Sequence, residues 1–376
     1  MEERAEILRE GDASGNGMVF KITSASGIDI FGLATKNFYG GTWDLGPTWN
    51  YLVLAEKPFL VDTGRTGTTQ SLLEMIACTG FSIDDLDSVV LSHGHEDHDG
   101  GLPEIVSLTG ASVKADPVYE RLIKLQPDKV PEGIDMDFPP SCWHCIMPES
   151  FVDKNCRDYH RNRNGLTIAN IFSPDNALGE NIQVIALPGH SPDAVGILID
   201  KDIFIAGDNV LPHISPSPSQ IESFSLVSVI FPPDQSDIQK AFGLEAYIRS
   251  LKTMLRMGEA HPDILSLPGH RLYYYDQWNT FQLADRSREI TEHHITRCRE
   301  IMTVLEDGPK TVKEIVTAHF EPSLLEGMGF YMAKNEIISH LELLIDCGDV
   351  QPADVQYASR NGSGHFSSHI QAIEPW

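Results

Sequence analysis

The chain has 376 residues, 41% of them hydrophobic, with 28 Lys and Arg against 54 Asp and Glu. That length predicts two domains, or one large domain with an appendage, and the apolar fraction supplies a sizeable core rather than a disordered chain. A formal net charge of −26 repels phosphate backbones and anionic lipid, which argues against a general nucleic-acid binder and against a membrane-surface protein.

Residues 1–6 are charged with no apolar run behind them, unlike a secretory signal. The longest apolar runs, at 182–187 and 203–206, are strand-sized, far short of the ~20 residues of a membrane helix. Six cysteines are too few for a disulfide scaffold. A soluble, cytoplasmic protein is expected. Residues 48–55 and 58–61 read as two strands with a turn at Glu56-Lys57, and Asp62-Thr63-Gly64 ends the second. Residues 69–79 read as a helix, with Leu72, Leu73, Ile76 and Ala77 on one face. A short buried strand at 88–91 runs straight into a His/Asp-rich loop.

Residues 117–180 are rich in Pro, Asp, Asn and Arg and weakly periodic, which predicts an insertion or lid. Strands follow at 182–187, 197–199 and 202–206. Five prolines between 212 and 235 mark a second irregular loop, 238–256 returns to helix, and 264–267 is a short strand ending in Pro-Gly-His. Beyond it, 289–306 is helical, and Thr311-Val312-Lys313-Glu314 is a capping box opening a second helix. A third helix spans 335–347 and stops at Gly348. Three helices and a small β turn-back predict a winged-helix-like module. The expected division is a catalytic domain over 1–285, the winged-helix-like domain over 286–355 and a loose tail over 356–376.

The segment Ser92-His93-Gly94-His95-Glu96-Asp97-His98 concentrates imidazoles and carboxylates that suit zinc and similar divalent ions. Three later strand ends repeat the theme: Pro188-Gly189-His190, Gly207-Asp208-Asn209 and Pro268-Gly269-His270. Each is an apolar strand, a glycine and a side chain able to bind metal. Catalytic groups on strand-end loops are held by the sheet behind them.

This order, His-x-His-x-Asp-His, Gly-His, Gly-Asp, Gly-His, resembles the metallo-β-lactamase superfamily of hydrolases, and Val61-Asp62-Thr63-Gly64 matches its early strand-end Asp motif. The resemblance implies an α/β (α+β) fold, an αββα sandwich with a dinuclear site between the sheet edges. It implies one metal on His93, His95 and His190, a second on Asp97, His98 and His270, and Asp208 bridging them with a hydroxide between. Asp62 would orient a ligand, and Asp97 and Asp208 would be the catalytic carboxylates. Zinc is the expected metal, with iron or manganese also compatible. Diiron oxygen-reducing members carry Glu where this chain has His95, and thiol dioxygenases keep one iron, so both half-sites favour hydrolysis. The stretch from Gly207 to Pro216 and the C-terminal module are similar to the branch with a winged-helix-like extension. Its members are mostly hydroxyacylglutathione-hydrolase-like thioesterases, with some endoribonucleases. Arg271 stands where that branch has Gly, and 117–180 is longer than usual, so the substrate does not carry over.

Weaker signals remain. Cys142, Cys145, Cys156 and His160 have spacing compatible with a structural zinc, against free thiols in a lid. Arg157, Arg161 and Arg163 offer an anion cluster, against a solvated basic loop. His213, Arg271 and Tyr273 are candidate substrate contacts, against loop and packing roles. From Arg286 to Val350 there are seven Lys and Arg against twelve Asp and Glu, so the module lacks the basic face of a nucleic-acid binder; walling the site or forming a homodimer contact suits it better. The expected function is dinuclear metal-dependent hydrolysis of a small-molecule thioester or related acyl ester, thioesterase-like or lactonase-like. The alternatives are a metal-dependent ribonuclease or phosphodiesterase, and a non-catalytic binding or signalling protein on the same fold.

Overall fold

The computed structural model describes the chain apart from residues 2, 39–43, 125–156, 222–239, 328 and 361–363. Two sheets face each other. The first has eight strands in sequence order: β1 (Glu6–Arg9), β2 (Val19–Thr23), β3 (Asp29–Thr35), β4 (Thr48–Leu54), β5 (Phe59–Val61), β6 (Ser88–Val90), β7 (Ser112–Ala115) and β8 (Ile168–Asn170). Neighbours from β1 to β5 are antiparallel, and β5 to β8 are parallel. The second has the order β12 (Leu265–Pro268), β11 (Ile203–Gly207), β10 (Val195–Ile199), β9 (Ile182–Ala186). β9 and β11 both run antiparallel to β10, and β12 is parallel to β11. β9, β11 and β12 therefore end on the same side.

The central strands, β3 to β6 with β10 and β11, are buried on both faces, and their side chains alternate between two cores. Ile30, Tyr51, Val53, Phe59 and Val61 pack toward Ile197, Ile199, Ile203 and Ile205 of the second sheet. Phe31, Leu52 and Leu60 face the other way, onto Leu72, Met75 and Ile76 of α1 (Thr69–Cys78) and Leu102 and Ile105 of the helix Leu102–Thr109. On the far side of the second sheet, Leu198, Phe204 and Ala206 share a core with the helices Gly243–Ala260 and Leu283–Val304. The layers are α, β, β, α, as the family resemblance implies. Each large side chain so buried contributes about 1.5–3 kcal/mol of transfer free energy.

Several features depart from the sequence reading. β1, β2 and β3 were not anticipated. Of the 117–180 stretch, the described part supplies β8, the edge strand of the large sheet. The helix Leu283–Val304 runs through the boundary expected at 285/286. After it come the helices Val312–His319 and Gly329–Asp346 and the hairpin Val350–Ala353 with Gln356–Ser359. The expected loose tail instead holds the second hairpin strand and the helix His365–Ala372, whose Phe366 and Ile370 are buried. Among the described residues, no helix is long and apolar enough to cross a membrane.

Candidate metal centre

The C-terminal ends of β5, β6, β9, β11 and β12 converge on one edge of the sandwich. After β6 the chain forms a loop carrying His93 and His95, then the single turn Glu96–Asp99 with Asp97 and His98. β9 leads to His190, β11 to Asp208 and β12 to His270. Cross-links tie the two sheets there: the Val195 amide donates to the Ser92 carbonyl (2.8 Å), the Trp49 amide to the Gly269 carbonyl (2.8 Å) and the Tyr51 hydroxyl to the Pro268 carbonyl (2.6 Å). Gly269 is required by space: a Cβ there would lie 2.3 Å from Asp208 Oδ1 and 2.9 Å from His98 Cε1.

The ligand-type atoms fall into groups within 4.8 Å: His93, His95 and His190; Asp97, His98 and His270; and His93, His98 and Asp208. Asp208 lies between the first two. Its Oδ2 is 3.8 Å from His190 Nε2 and 3.4 Å from His270 Nε2, and its Oδ1 is 3.4 Å from His98 Nε2. Asp97 Oδ2 is 3.2 Å from His270 Nε2.

Hydrogen bonds on the far side of three of the rings set their orientation. His190 Nδ1 donates to the Ser217 carbonyl (2.8 Å), His270 Nδ1 to the Pro47 carbonyl (3.0 Å) and His98 Nδ1 to Asp62 Oδ2 (2.8 Å). Each acceptor lacks a proton to give, so Nδ1 holds a hydrogen and Nε2 is the nitrogen left to meet a metal ion. Among the described residues, the Nε2 atoms of His98, His190 and His270 and Oδ1 of Asp208 are buried without a hydrogen-bond partner. Four such atoms turned into one space, three of them on rings fixed from behind, fit divalent metal ions.

The electrostatics agree. Burial pushes His93 well down and, with the neighbouring His190, takes His95 to about 3; burial also lowers His190. Burial opposes charge at His270 as well, yet Asp208 and Asp97 outweigh it and lift that ring to about 9. His98 rises for the same reason, beside Asp208, Asp97 and Asp62. Burial works against ionised Asp97 and Asp208, but His98 and His270 hold both below the ordinary carboxylate range. Metal ions bound there would take the place of those imidazole protons, so binding would release protons.

Sequence reading missed several supports. Asn37 Nδ2 donates to Asp97 Oδ2 at 2.8 Å, and the carbonyls of Pro47 and Ser217 carry no side-chain signature. Asp99 is fully buried, and its Oδ2 accepts from the Tyr119 hydroxyl (2.8 Å) and from Arg163 Nη1 (2.6 Å). Arg163 also donates to the Gly94 carbonyl at 3.3 Å and to the Tyr159 hydroxyl. Arg163 is therefore a wall of the metal loop rather than part of a free anion cluster. Arg161 is exposed beside Asp158, and the Arg157 side chain lies outside the described residues.

Cys142, Cys145 and Cys156 also lie outside the described residues; His160 is buried with Nδ1 2.9 Å from Arg163 Nη2. His213 is exposed, with Nε2 3.2 Å from Asn279 Oδ1. Arg271 donates to the Asp44 carbonyl (3.0 Å) and lies over the Tyr274 ring. Tyr273 packs edge-on against Trp278. These contacts occupy the three side chains with neighbouring loop and hairpin residues.

An αββα sandwich with a His/Asp cluster at its strand ends defines a metallohydrolase-type architecture. A family model, the metallo-beta-lactamase superfamily, matches residues 43–270, and the chain belongs to that superfamily, whose members are generally hydrolases. Curated relatives include the lactamase-like protein nscB of Aspergillus fumigatus, 23% identical over 267 residues (70% of this chain, 58% of the relative). The protein of the same name from Arthroderma benhamiae is 29% identical over 164 residues (41% of this chain, 28% of the relative). The matches thus span less than two thirds of those relatives. Among solved structures, a metallo-beta-lactamase family protein from Thermus thermophilus superposes with a TM-score of 0.63 at 22% identity, over 88% of this chain and 98% of its own. A beta-lactamase domain protein from Burkholderia ambifaria gives 0.65 at 19% identity, over 94% and 96%. These two agree with the fold.

Proposed function

We propose that the protein is a dinuclear metal-dependent hydrolase acting on a thioester or related small acyl ester. One observation carries the reading: the Asp208 carboxylate lies between two His/Asp triads, and the buried Nε2 atoms of His98, His190 and His270 that face it have no hydrogen-bond partner among the described residues. His93, His95 and His190 would hold one ion, Asp97, His98 and His270 the other, with Asp208 reaching both. Ions held there bring the pKa of bound water to about 7 and polarise a carbonyl under attack. Zinc suits this donor set, and iron and manganese are compatible with it.

The chain's own residues supply the rest. Asp62, Ser217 and Pro47 orient the imidazoles. Asn37 holds Asp97 Oδ2, which steers the carboxylate that can take a proton from the attacking water. A thiolate leaves readily, so a thioester needs little acid help. The rival reading, a ribonuclease or phosphodiesterase, is disfavoured by the net charge of −26 and by the engagement of Arg163 with Asp99.

Elemental analysis and an activity panel test the proposal. About two ions per chain are expected, with one lost in His270→Ala. Hydrolysis of at least one CoA or glutathione thioester is expected, abolished in Asp208→Ala and Asp97→Ala. Ready cleavage of RNA near 150 mM salt, at a Debye length of about 8 Å, with no thioester turned over, would replace this reading with the rival one.

A further inference from the structure

The turn that carries His190 is fastened from outside both sheets. Ser250 Oγ, on the helix Gly243–Ala260, donates to the Pro188 carbonyl at 2.6 Å. The Gly189 carbonyl accepts from the Ser219 amide (2.6 Å) and hydroxyl (2.7 Å), and the Ser217 carbonyl takes the His190 Nδ1 hydrogen. Residues 217–221 thus form a strap along the ligand turn.

The far end of this strap is held by the C-terminal part of the chain. The Ile221 amide donates to Glu342 Oε2 at 2.8 Å, 121 residues away, and Gln220 Nε2 lies 3.2 Å from Asn335 Oδ1. Glu342 and Asn335 both belong to the helix Gly329–Asp346. On its other side the strap sits against the start of Gly243–Ala260: the Gly243 amide donates to Ser219 Oγ at 3.1 Å, and a Cβ on Gly243 would lie 2.6 Å from Ile221 Cγ1. The strap is clamped between two helices, and its inner end fixes one imidazole.

We propose that the helix Gly329–Asp346 is a positioning element for the His93/His95/His190 metal site, acting through residues 217–221 with Glu342 as the principal contact. The inference rests on the reading that this triad holds a metal ion. An imidazole turns about its Cβ–Cγ bond unless its second nitrogen is held, and such outer partners commonly set metal affinity. The other triad is served from elsewhere: His98 by Asp62 and His270 by the Pro47 carbonyl, both in the first quarter of the chain. The helix therefore acts on one ion and not on its neighbour.

The test uses the full chain and cobalt(II), with affinity read by chelator competition. In the His270→Ala background, where only the His93/His95/His190 site is complete, Glu342→Ala is expected to weaken cobalt binding about tenfold, and Glu342→Gln, which keeps the acceptor oxygen, to restore it. In the His190→Ala background, Glu342→Ala should leave the remaining ion's affinity unchanged. Gln220→Ala, which removes the strap's second contact with the same helix, should repeat the selective loss should Glu342→Ala fold poorly. Unchanged affinity in both variants overturns the inference, as does an equal loss at the two sites accompanied by a lower Tm. Those outcomes leave the two-ion reading standing. A parent protein that binds no cobalt, or a His190→Ala variant that keeps both ions, overturns the metal reading and this inference with it.

Discussion

Asp62 Oδ2 stands 2.8 Å from His98 Nδ1, and the same carboxylate accepts the Ser92 amide (2.8 Å) and hydroxyl (2.6 Å). One side chain therefore ties a ring of the metal cluster to the loop that precedes it. Asp62 has a φ of 62°, a conformation Asn also tolerates. Asp62→Asn removes the charge behind His98 without new backbone strain. It should weaken metal binding at the Asp97/His98/His270 triad about 10- to 100-fold, measured by chelator competition, with the His93/His95/His190 site less affected.

Arg163 and Asp99 form a buried ion pair at 2.6 Å, both side chains at most 1% exposed. Removing one partner leaves the other charged and dry. Arg163→Met should cost about 3–5 kcal/mol of stability, and Arg163→Met with Asp99→Asn should recover part of it. Urea unfolding of the two variants measures the difference; a single variant within about 1 kcal/mol of the parent, the range of an exposed pair, would contradict the buried-pair account.

Asp193 gives a pH dependence. It is 2% exposed, Oδ1 accepts the Ser191 hydroxyl, and Oδ2 has no hydrogen-bond partner among the described residues. Burial raises its pKa from 3.8 to about 6. The folded state thus holds the proton more tightly than the unfolded chain does. Its contribution is fully present below about pH 4 and is lost as pH rises through about 6. Asp193→Asn should flatten the fall in Tm between pH 4 and 8 and should be the more stable protein at pH 8. A parent and variant with parallel Tm profiles would exclude this group as the cause.

Thr311 caps the helix Val312–His319, accepting the Glu314 amide while the Glu314 carboxylate accepts the Thr311 amide. Thr311→Ala should cost about 1 kcal/mol, and Thr311→Ser should cost little. Chemical denaturation of the full chain reads both.

The candidate site was largely legible because each ligand sits in a short window: an apolar strand, a glycine, then His or Asp. That signal is local, so composition and spacing carry it. The atoms that aim those ligands are not local. The carbonyls of Pro47 and Ser217 have no residue type to betray them, and Asn37 meets Asp97 across 60 residues. β2 and β3 escaped notice because both faces are buried: runs such as Asp29–Thr35 show no polar alternation to mark a strand. The helix His365–Ala372 was hidden differently. Phe366, Ile370 and Ile373 recur at helical spacing, but the Asn-Gly-Ser-Gly run before them signals a loose end.

The shared outer core has a consequence for synthesis. The helix Gly243–Ala260 buries Leu244, Tyr247, Ile248, Leu251 and Met254, and Lys252 Nζ donates to the carbonyls of Ile370 and Ile373 at 2.6 Å each. Its covering therefore includes residues that are translated well after the helix itself. At roughly 5–20 residues per second, the stretch between residues 260 and 370 takes about 5–20 s to make. Throughout that interval the nascent sandwich carries an apolar helix without this part of its cover, which is surface of the kind that holding chaperones bind.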